Sequence, residues 1–524
     1  MRIRIWLLCL SLLSSTVLDI AESRSYAAEK PNILVILCDD LGYGDVGCLN
    51  PECKLRTPNI DRLAREGVAF TDAHSSSAVC TPTRYSLLTG RYAWRTRLQK
   101  GVLGGMSPRL IEPDVRTVAD VLRDEGYDTA CFGKWHLGFE WPRKPDTPPF
   151  TDEIERGSDG WRVDFTKPYH GGPLDVGFNR YFGIAGSLDM VPYTFLKDKG
   201  VTVIPTVDKE FPMMLGREGG NTRKGPAAAD FDANQVLPKL TEQTISFIAE
   251  HAEQSEKNAK PFFCYVPLAS PHTPIVPNSP WQGRSRTNFY GDFVEETDAA
   301  IGQILDSLDK HNLTENTLVI VTSDNGCSPQ GKFAELAQFG HNPSYLFRGH
   351  KADIFEGGHR VPYIVRWPQH LPRGQQCSAL VGLQDTFATC ADVLKLTLAD
   401  NVAVDSFSWL PHLMPQASSQ PARTSLVHHS INGSFAIRRG DYKLCFCADS
   451  GGWSEPRPGS QAAKVLPPRQ LYNLKDDVGE RTNLAATETD KVKELTNEMK
   501  TLIANGRSTQ GPKQRNSVPV VWQE

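Results

Sequence analysis

The sequence predicts an α/β sandwich: a large mixed or mostly parallel sheet between layers of helices, then a smaller C-terminal α+β subdomain with a small antiparallel sheet and a helix. Three observations point there. Continuous apolar runs that end in polar residues, such as "PNILVILCDD" (31–40), read as strands buried on both faces. Stretches of helical periodicity, bounded by capping residues and glycine, lie between them. The two patterns alternate along the chain, which is the grammar of a sheet covered by helices.

Taken in order, the first residues "MRIRIWLLCLSLLSSTVL" place two arginines before an apolar run, and small residues surround Ala27 and Ala28. Residues 1–28 are therefore expected to be a secretory signal peptide, and the chain to be secreted or periplasmic. The run is too short to span a bilayer comfortably, and nothing around Cys9 marks a lipid attachment, so no membrane anchor is expected. "TPNIDRLAREG" (57–67) predicts a helix capped by Thr57 and stopped by Gly67. The same pattern gives a helix over Thr117–Glu125, a stop at Gly126 and a strand over Asp128–Phe132. "KPFFCYVPLASPHTP" (260–274) is a buried strand running into a polar loop. Residues 292–326 read as a long amphipathic helix, a turn and a strand over Thr317–Thr322, and "HRVPYIVRWP" (359–368) as a further strand.

Between Glu140 and Met214 the periodicity dissolves into Pro, Gly, Trp and Tyr, as functional loops often do. "MPQASSQPART" (414–424) reads as a linker, dividing a catalytic domain, 29–415, from a C-terminal subdomain, 416–524. The latter holds strand-like "SFAIRRGDYKLCFC" (434–447) and a helix over Thr489–Ile503. The tail from Gly506 is expected to be poorly ordered, apart from its last apolar residues.

A net charge of −4 and a pI near 6.4 argue against a nucleic-acid partner. Twelve cysteines in 524 residues are too sparse for a disulfide scaffold. Without Cys9 the count is odd, which flags one special thiol. Cys80, in "SSSAVCTPTRYSLLTGRY" (75–92), is the candidate, and the pairing of the others stays open.

The polar clusters fall at strand ends: Asp39 and Asp40 after one, Asp324 and Asn325 after another, Lys134 and His136 after a third. Open α/β sheets bind ligands at the carboxyl ends of their strands, so these groups can converge. Three adjacent carboxylates repel unless a cation lies among them. Hard oxygen donors select Ca²⁺, or Mg²⁺, over zinc or copper. An unmodified thiol suits neither the carboxylates nor such an ion.

"CTPTR" (80–84) fits C-x-P-x-R, and here the chain resembles the type I, formylglycine-dependent sulfatases, arylsulfatase-like members of the alkaline phosphatase superfamily. Thr83 stands where Ser is more usual. "ILCDDLGYGD", "GKWHLG", "SPHTP", "TSDNG", "RGHKADIFEGGHRVP" and the late "LYNLKDDVGERTNLA" continue the likeness. The resemblance implies that a formylglycine-generating or sulfatase-maturating enzyme oxidises Cys80 to Cα-formylglycine, whose hydrate attacks sulfur. It implies that Asp39, Asp40, Asp324 and Asn325, with the modified Cys80, hold the cation. Arg84 orients the diol, His136 is the base for sulfate elimination, Lys134 and Lys351 clamp sulfate, and His272 protonates the leaving oxygen. Trp161, His170, Asp189, His341 and Arg348 lie in loops that can reach the site, and His170, His341 and Arg348 are the candidate substrate contacts. The expected substrate is a sulfated carbohydrate. The alternatives are phosphate ester hydrolysis on the same scaffold, or glycan binding without turnover if Cys80 is unmodified.

Overall fold

"NILVILCD" forms strand β1 (Asn32–Asp39), buried along its whole length. Its side chains alternate between two cores: Ile33, Val35 and Leu37 enter one, Leu34, Ile36 and Cys38 the other. Each buried Ile or Leu contributes about 1.5–3 kcal/mol, so both faces must stay apolar and charge is deferred to the strand's end. The computed structural model describes residues 30–154, 157–217, 220–255, 260–414 and 422–522. The expected signal peptide and most of the expected linker lie outside the described residues.

Strand β1 sits inside a sheet with β2 (Val68–Phe70), β3 (Asp128–Lys134), β4 (Arg180–Ile184), β5 (Leu196–Lys197), β6 (Gly200–Val201), β7 (Phe262–Pro271), β8 (Thr317–Ser323), β9 (Tyr363–Arg366) and β10 (Gln375–Cys377). Their order is β10-β2-β9-β8-β1-β7-β3-β4-β5-β6. The central run β8-β1-β7-β3-β4 is parallel. β9 pairs antiparallel with β8 and β2, which makes the sheet mixed.

Helices α1 (Pro58–Glu66), α2 (Cys80–Thr89), α3 (Val118–Asp124), α4 (Val236–Ser255), α5 (Phe289–Lys310) and α6 (Asp385–Val393) cover the sheet. Side chains of α1, α4 and α5 share one core, and those of α2, α3 and α6 the other. Thr117, expected as the first helical residue, instead caps α3: its Oγ1 accepts from Asp120 N at 3.1 Å, while Asp120 Oδ2 accepts from Thr117 N at 3.1 Å. Thr57 does not cap α1. Its hydroxyl accepts from Gly47 N at 3.0 Å instead, and Pro58 opens the helix where a missing N–H costs nothing.

The C-terminal part is a four-stranded antiparallel sheet, β11 (Ser425–His429), β12 (Phe435–Arg439), β13 (Tyr442–Cys445) and β14 (Gln470–Asn473), with helix α7 (Thr489–Asn505) packed through Val492, Leu495 and Met499. The tail departs from expectation at Ser517, whereas its last apolar residues are the expected exception. Ser517 N donates to Arg95 O at 2.8 Å, Val521 N to Gln99 Oε1 at 2.7 Å, and the Trp522 ring meets Phe446 edge-on at 5.3 Å. Ser517 and Val521 find their partners on residues 95–99, which no local pattern shows. The eleven described cysteines are all free, so parity does not set Cys80 apart.

Candidate active site

The four neighbouring parallel strands β8, β1, β7 and β3 end on the same edge of the sheet, and each ends in chemistry. Asp324 and Asn325 follow β8, Asp39 closes β1 ahead of Asp40, His272 follows β7, and Lys134 closes β3 just before His136. All are buried. The backbone bends sharply here: Asp40 (φ 67°) and His136 (φ 56°) are left-handed without being glycine, a strain that functional sites retain. Gly133 (φ +153°) precedes Lys134, and a Cβ there would lie 1.9 Å from Pro267 O.

Three side-chain cations meet the three carboxylates. Lys134 Nζ lies 2.5 Å from Asp39 Oδ2. Arg84 Nη2 and Nε reach Asp324 Oδ2 at 2.7 and 3.1 Å, and Nη2 is 3.3 Å from Asp39 Oδ2. Lys351 Nζ is 2.7 and 2.9 Å from the two oxygens of Asp40. The protein therefore supplies its own counter-charges, and the repulsion argument for a metal is weaker than the sequence suggests. Burial pushes the Asp39 carboxyl up, yet Lys134, His272 and Arg84 hold it well below the usual range. Asp324 moves the other way, pushed up by burial and by the charge on Asp39.

The donor set still fits a hard cation. Asp39 Oδ1 and Asn325 Oδ1 are fully buried and have no hydrogen-bond partner. Asn325 Nδ2 donates to Asp40 Oδ1 at 2.7 Å, which turns its carbonyl oxygen the other way. Asp39, Asp40 and His272 offer atoms within 4.8 Å of one another. Orphaned oxygens this deep are costly unless something positive meets them.

Cys80 begins α2, is 2% exposed, and stands where the aldehyde of a formylglycine would be. Burial raises its thiol pKa, Lys134 and Lys351 pull it down, and Asp39 and Asp324 push it up again. All ten residues of α2 are buried, polar ones included. This is possible because its hydroxyls turn inward: Thr83, Ser86 and Thr89 donate to the carbonyls of Val79, Pro82 and Tyr85 at 3.1, 2.9 and 2.8 Å. Thr83 also reaches Ser77 O at 3.0 Å, so the unusual residue of the motif keeps a hydroxyl's task. His136 is held neutral, first by burial and then by Lys134 and Arg84. Its Nε2 donates to Leu103 O at 2.6 Å, which leaves an unpartnered lone pair on Nδ1. His272 Nε2 is 3.7 Å from Asp40 Oδ2.

The predicted substrate contacts fare differently. His341 is buried, with Nε2 2.8 Å from Asp45 Oδ1, so it buttresses the loop after β1. Tyr290 donates to the same carboxylate. Arg348 is engaged too: it lies over the Phe355 ring at 3.7 Å and donates to Glu480 O at 2.9 Å, which ties its loop to the C-terminal part. Trp161 donates to Asp208 at 2.8 Å, and Asp189 pairs with Arg223 at 2.7 Å. His170 is exposed and pairs through its backbone with Glu140.

A buried polar layer that sequence reasoning missed lies behind the segment leading to Cys80. His74, His359 and His428 cluster together, with His359 and His428 stacked at a ring-centroid distance of 3.7 Å and His74 tilted against both. Around them Asp72 pairs with Arg438, and Lys443 with Glu356 and Glu480. His74 and His359 flank recognisable motifs, but Lys443 and His428 carry no local signal. Ser77 Oγ and Ala78 N donate to His429 O at 2.9 and 3.0 Å, so β11 pins the approach to Cys80 directly.

An α/β sheet whose parallel strands end in this acid, amide and lysine cluster below a buried Cys-x-Pro-x-Arg helix defines a hydrolase of anionic esters. The family is shown by comparison: residues 31–396 match the sulfatase model and 421–524 the C-terminal region of aryl-sulfatase. The chain belongs to the sulfatase family and is a sulfuric ester hydrolase. It is 31% identical to an N-acetylgalactosamine-6-O-sulfatase of Bacteroides thetaiotaomicron, over 93% of this chain and 96% of that protein. Human arylsulfatase A is 32% identical, over 87% and 84%. A solved B. thetaiotaomicron structure from work on glycosaminoglycan metabolism superposes with a TM-score of 0.75 at 30% identity, covering 91% of this chain and 99% of that one. A phosphonate monoester hydrolase of Agrobacterium radiobacter shares the fold alone, with a TM-score of 0.54 at 19% identity, so fold by itself does not choose sulfate over phosphate.

Proposed function

We propose that this chain removes sulfate from a sulfated carbohydrate outside the cytoplasm, with residues 29–415 as its catalytic domain and 416–524 as the subdomain that braces it. The observation that carries the reading is the burial of Cys80 where it feels the charges of Lys134, Lys351, Asp39 and Asp324, in a cluster whose Asp39 Oδ1 and Asn325 Oδ1 have no partner. A formylglycine made from Cys80 supplies a hydrated aldehyde as oxygen nucleophile, and a calcium-class ion supplies charge to acidify it and to offset the sulfate. Asp39, Asp40, Asp324 and Asn325 would hold that ion.

The other roles belong to the chain's own side chains. Each lysine amino group has three protons and spends only part of them on Asp39 or Asp40, so Lys134 and Lys351 keep donors for sulfate oxygens. Arg84, locked on Asp324, orients residue 80 one helical turn away. His136 presents a neutral Nδ1 that can accept a proton, and His272 protonates the departing alcohol oxygen. Because Cys80 is inaccessible in the fold, its conversion by a maturating enzyme must precede folding. The choice of a carbohydrate draws support from the N-acetylgalactosamine-6-O-sulfatase relative.

The test is mass spectrometry of the tryptic peptide holding Cys80, from protein of the native host, joined to desulfation of defined sulfated saccharides. Aldehyde at position 80 and sulfate release are expected. An intact thiol together with undiminished turnover in Cys80→Ala would overturn the mechanism.

A further inference from the structure

Beside the candidate site lies a cavity of about 620 Å³, within the roughly 300–1,000 Å³ typical of ligand pockets. One wall is residues 97–100 with Val102. It runs straight into Leu103, whose carbonyl accepts from His136 and whose N–H donates to Thr81 Oγ1 at 3.3 Å, one residue from Cys80. The opposite wall is residues 432–435. It follows Ile431, whose N–H donates to Ala352 O at 3.1 Å, one residue from Lys351. Gly101 N donates to Ile431 O at 2.7 Å and joins the walls. Successive Cα atoms are about 3.8 Å apart, so both walls begin within two residues of contacts to the catalytic cluster.

The lining has its own chemistry. Phe446 and Trp522, meeting edge-on, give an aromatic surface. Arg97 is spent on Asp152, at 2.7 and 3.0 Å. Lys100 has no ion pair among the described residues, and Glu153 offsets it across the lining. With the charges balanced, the cavity selects no anion. An aromatic face with separate donors and acceptors suits a ring that is apolar on one face and edged with hydroxyls.

We propose, resting on the sulfated-carbohydrate reading above, that this cavity is a second saccharide subsite that holds the unsulfated sugar next to the sulfated one. Trp522 packs on that ring, and Lys100, Asn432 and Glu153 meet its hydroxyls. The preferred substrate is then at least a disaccharide, and the C-terminal tail takes part in choosing it.

The experiment compares three substrates: 4-nitrophenyl sulfate, 6-sulfated N-acetylgalactosamine, and that sugar extended at its anomeric carbon by galactose or by glucuronate. For the wild type, both disaccharides are expected to show kcat/KM about tenfold above the monosaccharide. In Trp522→Ala and Lys100→Ala this advantage should shrink to twofold or less through KM, with 4-nitrophenyl sulfate turnover unchanged as the control for folding. Equal kcat/KM for monosaccharide and disaccharides overturns the subsite, as do variants that keep the advantage. A gain with glucuronate alone overturns the hydroxyl readout. Hydrolysis of 4-nitrophenyl sulfate with no action on any sugar rejects the carbohydrate reading, and the subsite with it.

Discussion

Around Cys80 each cation neutralises a carboxylate, and on the proposed function Lys134 and Lys351 also keep protons for the substrate. Removing Lys351 therefore strands Asp40 as well as losing a sulfate contact. Lys351→Ala should lower kcat/KM on 4-nitrophenyl sulfate by about 10²–10³, the usual size for losing one preorganised charge partner. Cys80→Ser should be severely impaired, and Cys80→Ala inactive in the same assay. Thr83 separates chemistry from architecture, since its hydroxyl binds only the carbonyls of Ser77 and Val79. Thr83→Ser should melt like the wild type, whereas Thr83→Val should lose about 1–3 kcal/mol in denaturant unfolding by leaving buried carbonyls without their donor.

At the scale of elements, β11 and the stacked histidines behind it hold the strand-to-helix turn that presents Cys80. These rings set an acid limit on stability. Burial, then neighbouring positive charge, holds His359 and His428 well below the ordinary imidazole value, and burial takes His429 down to about 4. Below pH 6.5 the unfolded chain binds protons that the folded rings refuse, so folding weakens as pH falls. Each ring subtracts about 1.4 kcal/mol per pH unit, for His429 from 6.5 down to about 4. Glu480 and Asp324, each pushed up to about 7 by burial, and Asp298, pushed up to about 6, oppose this, three carboxyls against the five fully buried rings of His74, His136, His359, His428 and His429. The melting temperature should drop steadily between pH 6.5 and 5, and His429→Gln should flatten part of that slope. A flat profile would mean the rings are solvated. Elsewhere in the framework, Gly133→Ala should misplace Lys134, because its methyl would collide with the Pro267 carbonyl.

For the whole molecule, the proposed ion would meet the orphaned oxygens of Asp39 and Asn325 only in the folded chain, so its binding would be linked to folding. Treatment with EDTA should lower the melting temperature by a few degrees, and Ca²⁺ should restore it better than Zn²⁺, since a ligand held at about 1,000 times its Kd adds about 4 kcal/mol. The central parallel strands, the helices over 117–125 and 289–310, and the convergence of Asp39, Asp40, Asp324, Asn325, Lys134 and His136 were legible because strand burial and strand-end polarity are local patterns. That His341 packs on Asp45 and Arg348 on Phe355 was not legible, because a polar residue in a loop looks the same whether it faces substrate or props the loop from behind. The docking of Ser517 and Val521 was not legible because their partners, Arg95 and Gln99, lie some four hundred residues away.

By itself the sequence determined which residues must be buried, where each central strand ends, and the Cys80 motif, since side-chain period and hydrophobicity act over a few residues. Only the tertiary structure decided that Arg84, Lys134 and Lys351 would each face a carboxylate, that β11 would brace the approach to residue 80, and that the tail would line a cavity beside it. Those outcomes depend on distances between segments remote in sequence, and such distances exist only once the chain has packed.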